Sequence, residues 1–156
     1  MLPSRPSNNR YVGFFHRADV DGIFSAAIFL TTHPTAKIFF TNYGKDETLR
    51  MCRLIRKTAR ESSVGRMVVA DINLSDAVAS DVVEAVRFAK SKRWKILWLD
   101  HHRWDPKVAS SLGSVASMEI DTTRCASELV WSNLAPKNRT ARKLAKIAHV
   151  IDLGIK

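Results

Sequence analysis

The sequence is poor in cysteine: only Cys52 and Cys125 occur among 156 residues. They lie far apart and share no pairing motif, which argues against a zinc knuckle and against a disulfide framework. A reducing cytoplasm is the simplest setting for such usage. No apolar run is long enough to cross a bilayer, so no membrane partner is expected. Residues 1–10 (MLPSRPSNNR) lack the apolar middle of a secretory signal and read as a mobile N-terminal arm. No internal repeat or low-complexity segment follows. Acidic side chains are the scarcer charge: 15 Asp and Glu stand against 25 Lys and Arg, a formal net charge of +10. The sequence pI is near 10.1. That balance favours an anionic partner, nucleic acid first.

The remaining length, 11–156, fits one domain. At 46% hydrophobic residues it has enough apolar material for one core. Strands are expected at Tyr11–Phe15, Lys37–Thr41, Arg66–Ala70, Lys95–Leu99 and Val115–Ile120. Helices are expected at Gly22–Thr31, Asp46–Ser62, Ser75–Lys90, Cys125–Leu134 and Asn138–Ile151, the last with a break expected near His149 as the alternative. In Asp46–Ser62, Leu49, Cys52, Ile55 and Ala59 recur at helical spacing. In Ser75–Lys90, Val78, Val82, Val86 and Ala89 do the same, with Ser75 placed as N-cap. Alternating strands and helices imply an α/β fold: a mostly parallel five-stranded sheet with helices on both faces.

In such sheets the loops after the strands gather on one edge, where ligands bind. His16, Asp19, Asp21, Asp71, Asp100 and His101 all fall at or just past expected strand ends. Carboxylates and imidazoles without thiolates suit Mn2+, Mg2+ or Zn2+, and the carboxylate excess favours the harder ions. There are more donors than one ion needs. Two ions sharing a carboxylate would use them, in chemistry suited to phosphate ester or anhydride hydrolysis. Asp19 and Asp21, two positions apart in an extended loop, would point in opposed directions and serve different ions. Gly22 would let the backbone turn into the next helix.

Three motifs occur in order: His16-Arg17-Ala18-Asp19-Val20-Asp21-Gly22, then Val68-Val69-Ala70-Asp71, then Leu99-Asp100-His101-His102. Together they resemble the DHH superfamily of phosphoesterases, with the resemblance running from about Tyr11 to the C-terminus. That group contains RecJ-type single-strand exonucleases, oligoribonucleases, cyclic dinucleotide phosphodiesterases and family II pyrophosphatases. The resemblance implies a Rossmann-like DHH catalytic domain over 11–156. It implies two Mn2+ ions (Mg2+ as the substitute), one held by His16, Asp19 and Asp71, the other by Asp21, Asp71 and His101. Asp152, in Asp152-Leu153-Gly154, matches the family's fourth motif, which follows a helix. His102 would face the substrate phosphate, and Asp100 would orient His101 or His102. The implied reaction is hydrolysis by an activated hydroxide of phosphodiester bonds in single-stranded DNA or short RNA. The alternatives are a pyrophosphatase or small-nucleotide phosphodiesterase, and a non-catalytic binding module.

The family's second C-terminal domain (DHHA1), which closes the cleft, has no counterpart after Asp152. The expectations are a fragment, a lidless enzyme, or a homo-oligomer or partner chain that supplies the lid. Arg103, Trp104 and Arg124 are candidate substrate contacts. Trp104 would stack a base, or else be a rim or core residue. Thr122-Thr123-Arg124 would bind phosphate at a helix N-terminus, or simply start the helix. Two basic stripes, Arg50/Arg53/Lys57/Arg60 and Arg139/Arg142/Lys143/Lys146, read first as solvated helix faces and second as nucleic-acid contacts. His149 reads as a helix-face histidine and His33 as a loop residue.

Overall fold

The structure, a computed structural model, describes residues 10–154. The expected arm lies outside these residues except for Arg10, which opens the first strand. The elements are β1 (Arg10–His16), α1 (Val20–Thr32), β2 (Lys37–Thr41), α2 (Lys45–Glu61), β3 (Gly65–Ala70) and α3 (Asp76–Ser91). They continue as β4 (Trp94–Asp100), α4 (Pro106–Gly113), β5 (Ser117–Ile120), α5 (Ala126–Leu134) and α6 (Arg139–Leu153). All strand pairs are parallel, in the order β2-β1-β3-β4-β5.

Strand side chains alternate between two cores, as a sheet covered on both faces requires. Val12, Phe14, Met67, Val69, Ile96 and Trp98 pack with Met51 and Ile55 of α2, Val82 and Val86 of α3, and Val108 and Leu112 of α4. Phe15, Val68, Ala70 and Leu99 pack with Ile28 and Phe29 of α1, Leu129 of α5, and Ala141 and Ala145 of α6. The α/β expectation with helices on both faces therefore holds. No helix among the described residues is long and apolar enough to cross a membrane. Cys52 and Cys125 are both buried free thiols.

Four local differences from the sequence reading have physical reasons. Helix α4 was not expected; it is short, with only Val108 and Leu112 turned inward. Its start was nevertheless written in the sequence, because Asp105 accepts from the Lys107 and Val108 N–H groups and Pro106 takes the first turn. Strand β5 begins at Ser117 rather than Val115, since the Val115 and Ala116 N–H groups still bond to Leu112 O of α4. Ser75 stands at the N-cap of α3 but its hydroxyl makes no capping bond. Helix α6 does not break at His149; it runs to Leu153 and carries Asp152 in its last turn, not after it.

The order places β1 next to β3, with the chain leaving β1 for one edge and returning for the other. That reversal opens a crevice at the carboxyl ends of the strands. The register aligns Phe15 with Ala70 and Ala70 with Leu99. The next residue on each strand is His16, Asp71 and Asp100, side by side across the crevice floor.

Candidate metal centre

His16 ends β1 and is buried. Its Nδ1 lies 2.9 Å from Asp19 Oδ2 and 3.4 Å from Asp71 Oδ2. Its Nε2 donates to Asn42 Oδ1 at 3.0 Å. Asn42 Oδ1 also accepts from the Tyr43 N–H at 2.8 Å, so the amide oxygen faces the ring. This partner fixes the ring and directs Nδ1 at the carboxylates.

Asp19 is the N-cap of α1, its Oδ1 accepting from the Gly22 N–H at 2.9 Å. Asp21 lies in the first turn, not in an extended loop. Asp19 is extended at the cap while Asp21 is already helical, so the expected divergence survives for a different reason. Asp19 joins His16 and Asp71 in one group, while Asp21 joins His101 and Asp152 in another. Gly22 also has a different reason from the expected turn. A Cβ there would lie 2.2 Å from His16 O, so glycine lets α1 start against the end of β1.

Asp71 follows β3 with φ 62, the left-handed region that Asp tolerates better than most residues. The Asp71 N–H donates to Leu99 O. Its side chain is buried, and neither carboxylate oxygen has a hydrogen-bond partner. Oδ2 faces His16 Nδ1 at 3.4 Å and Oδ1 faces His101 Nε2 at 3.3 Å. One oxygen is thus presented to each group. His101 Nε2 also stands 3.5 Å from Asp21 Oδ2 and 3.6 Å from Asp152 Oδ2.

The charges follow from this crowding. The Asp71 carboxylate beside it lifts His16 to about 9, against burial, with Asn42 and Asp19 adding to it. For His101 burial is the largest influence and opposes the charge, but Asp71, Asp21 and Asp152 outweigh it and lift the ring to about 9. Burial raises the Asp71 carboxyl; His101 and His16 oppose the rise, and Asp21 and Asp19 add to it. Burial likewise raises Asp152, with His101 opposing. Burial works against the Asp19 charge too, yet the Gly22 N–H and His16 hold that carboxyl below its usual range.

Asp100 is fully buried at the end of β4. Its Oδ1 accepts from His102 Nδ1 at 2.8 Å and its Oδ2 from Trp104 Nε1 at 2.7 Å. Of the two histidines Asp100 was expected to orient, the contact is to His102. That hydrogen bond raises His102 above its ordinary range.

Two candidate substrate contacts do other work. The indole of Trp104 is edge-on to Trp98 and half-buried, and its N–H serves Asp100, so it is not a free stacking platform. Arg124 is engaged by Glu119, by the Glu128 carbonyl and by Ser132 Oγ, which ties it to α5. The N-terminus of α5 is not open to phosphate either. Asp21 accepts from the Ala126 N–H at 2.7 Å and the Ser127 N–H at 2.8 Å, and Glu128 accepts from the Cys125 N–H. The helix start is occupied by the protein's own carboxylates. Arg103 remains exposed beside His102. His149 is a helix-face residue bonded to Glu128, and His33 ends α1, stacked on Tyr11.

Asn42 and Tyr43 were missed. The Tyr43 ring stands 4.5 Å from that of His16, and its hydroxyl is 3.3 Å from both His102 Nε2 and the Asp71 carbonyl. Burial, then Asp71 and Asp100, keep the phenol protonated. Both residues follow β2 at the same sheet edge. The strand-end rule that singled out Asp71 applies to them equally.

An open parallel α/β sheet with a carboxylate–imidazole cluster at its switch point is thus the class the fold and site define. No family profile and no curated protein matches the chain. Among solved structures, an uncharacterized protein from Helicobacter pylori G27 is similar, with a TM-score of 0.70 and 22% identity over 94% of this chain. The chain spans 43% of that protein's length, under half of it. At this identity the likeness speaks for the fold.

Proposed function

We propose that the chain is a metal-dependent phosphoesterase of the DHH type, acting on phosphodiester bonds in single-stranded DNA or short RNA. The observation that carries the reading is Asp71, a buried carboxylate with no hydrogen-bond donor on either oxygen, set between two imidazoles. A buried carboxylate needs positive charge beside it; without metal the two protonated rings supply it, and this donor set of oxygen and imidazole also fits a cation. His16, Asp19 and Asp71 would hold one ion, and Asp21, Asp71, His101 and Asp152 a second, Mn2+ or Mg2+ by donor type. When bound, such a pair polarises phosphoryl oxygens and acidifies water. Asp100 holds the His102 ring so that Nε2 faces the crevice mouth beside the Tyr43 hydroxyl. Both groups are placed to meet a phosphoryl oxygen there, and Trp104 keeps Asp100 in position.

The test is a Mn2+-supplemented screen of pyrophosphate, cyclic dinucleotides, short RNA and single-stranded DNA over a salt series. Hydrolysis of the polymers, with binding that weakens steeply as salt rises, is expected from the net charge. Salt-insensitive turnover of pyrophosphate alone would move the reading to the small-substrate alternative. No Mn2+ uptake at all would leave a binding module.

Metal binding also has an acid–base signature. In the metal-free protein His16 and His101 are lifted to about 9, so both hold a proton at pH 7 that a metal must displace. Mn2+ binding at pH 7 should release close to two protons. The apparent affinity should fall as pH drops below 9 and level off above it. Titration calorimetry in buffers of different ionisation enthalpy measures the release; a value of zero would contradict the ligand roles of the two rings.

A further inference from the structure

The two basic stripes part company in the structure. On α2 half of the six cations are matched: Arg50 pairs with Glu47, Arg56 with Glu84, and Lys57 with Glu61. Elsewhere Arg17 shares Glu47 and Arg124 has Glu119. Arg139, Arg142, Lys143 and Lys146 of α6 enter no ion pair among the described residues, and all four are exposed. They fall within about 100° of arc on the solvent face of α6. Arg139 with Arg142 and Lys143, and Lys146 with Arg142 and Lys143, are like-charge neighbours three or four apart, which repel. Arg139 opens the helix, where the backbone dipole also disfavours a cation. Arg142 lies over the Trp131 ring at 6.0 Å, which braces a guanidinium without neutralising it. Up to Lys146 the helix has no acidic residue; its only one is Asp152.

We propose that this face of α6 is a docking surface for the phosphate backbone of a single-stranded nucleic acid. An anionic strand turns each of these repulsions into an attraction, which no ion pair among the described residues does. A second copy of a chain with net charge +10 would be repelled by the same face. The stripe covers about 10 Å of α6 and Asp152 lies about 9 Å farther along the helix, so a strand on the stripe points toward the rim of the crevice. The stripe lies on the opposite side of α6 from Asp152. It therefore holds the flank of the polymer, outside the reacting position. The proposal rests on the phosphoesterase reading for the identity of the polyanion.

The test compares two charge variants. One carries Arg139→Gln, Arg142→Gln, Lys143→Gln and Lys146→Gln; the control carries Arg53→Gln, Lys57→Gln and Arg60→Gln on α2. Fluorescence anisotropy with a labelled oligothymidylate follows affinity over a salt series. Calorimetry with Mn2+ checks that the crevice is intact. The α6 variant should bind the oligonucleotide at least tenfold more weakly. Its slope of log affinity against log salt should be shallower by about 2 to 3, at roughly 0.7 for each phosphate that is no longer neutralised. The α2 control should match the unmodified chain. Equal binding by the α6 variant, or an equal loss in the α2 control, would overturn the proposal. So would an α6-dependent affinity confined to phosphatidylserine vesicles. If the oligonucleotide is lost as expected but no form of the chain hydrolyses it with Mn2+, the docking surface stands and the phosphoesterase reading falls.

Discussion

The Asp71→Asn variant should lose Mn2+ binding in both halves of the cluster and, with it, Mn2+-dependent hydrolysis. Among the described residues Asp71 is the only side chain that presents one oxygen to each group, at 3.4 Å from His16 Nδ1 and 3.3 Å from His101 Nε2. Asparagine removes the charge and one oxygen together. A metal pair contributes several kcal/mol to the transition state of phosphoryl transfer, so the expected loss is on the order of a thousandfold or more in rate. Asparagine is the right probe because φ at this position is 62. It tolerates the left-handed region, whereas alanine would add backbone strain to the lost carboxylate. The fold of the variant should therefore survive, and a second readout follows. For the unmodified chain, Mn2+ at about a hundred times its dissociation constant should add roughly 2.7 kcal/mol to stability. The variant should gain none. Thermal unfolding with and without Mn2+ decides it: a variant still stabilised by the metal would remove Asp71 from the bridging role.

The largest effect on stability is expected at a residue with no side chain. Gly22→Ala would gain about 1 kcal/mol of helix propensity. Against that stands a Cβ placed 2.2 Å from the backbone oxygen of His16 and 2.7 Å from its Cβ. Backbone cannot step aside as a flexible side chain does. The end of β1 and the start of α1 must separate, at the upper end of overpacking costs or beyond, about 3 kcal/mol. The net loss, roughly 2 kcal/mol, lowers the melting temperature by roughly 4–8 °C in a chain of this size. The separation also moves His16, Asp19 and Asp21 together, so Mn2+ affinity should fall in the same variant. Denaturant unfolding and Mn2+ calorimetry test both; unchanged stability would show that the contact relaxes freely.

The order of strands and helices was legible because each strand alternates between two cores while each helix carries apolar residues at a period near 3.6. Val12 and Phe14 against Phe15, or Met67 and Val69 against Val68 and Ala70, show the strand pattern. Helix α4 escaped because eight residues with two inward side chains leave no period to read. The meeting of His16, Asp19, Asp21, Asp71, Asp100, His101 and His102 was legible from motifs placed at strand ends, and Asp152 from its Asp-x-Gly setting near a helix end. What the sequence could not give was the partner each group had already taken. Trp104 and Arg124 looked available until Asp100, Glu119 and the end of α5 were seen to hold them. Asn42 and Tyr43 carried no motif, and their roles arise from β2 lying beside β1, a matter of strand order.

The bonds from Asp21 to the Ala126 and Ser127 N–H groups join positions 105 and 106 residues apart in the chain. Contacts of such separation close late, because the loop entropy must be met before the contact stabilises anything. Until α5 arrives, Asp21 is a carboxylate at the start of α1 without its two donors, and half of the cluster has no fixed geometry. A chain folded only as far as β4 would already contain His16, Asp19 and Asp71 with their strands. It would still lack the scaffold that aims Asp21. The geometry of the crevice therefore depends on α5 as well as on the strands that supply its floor.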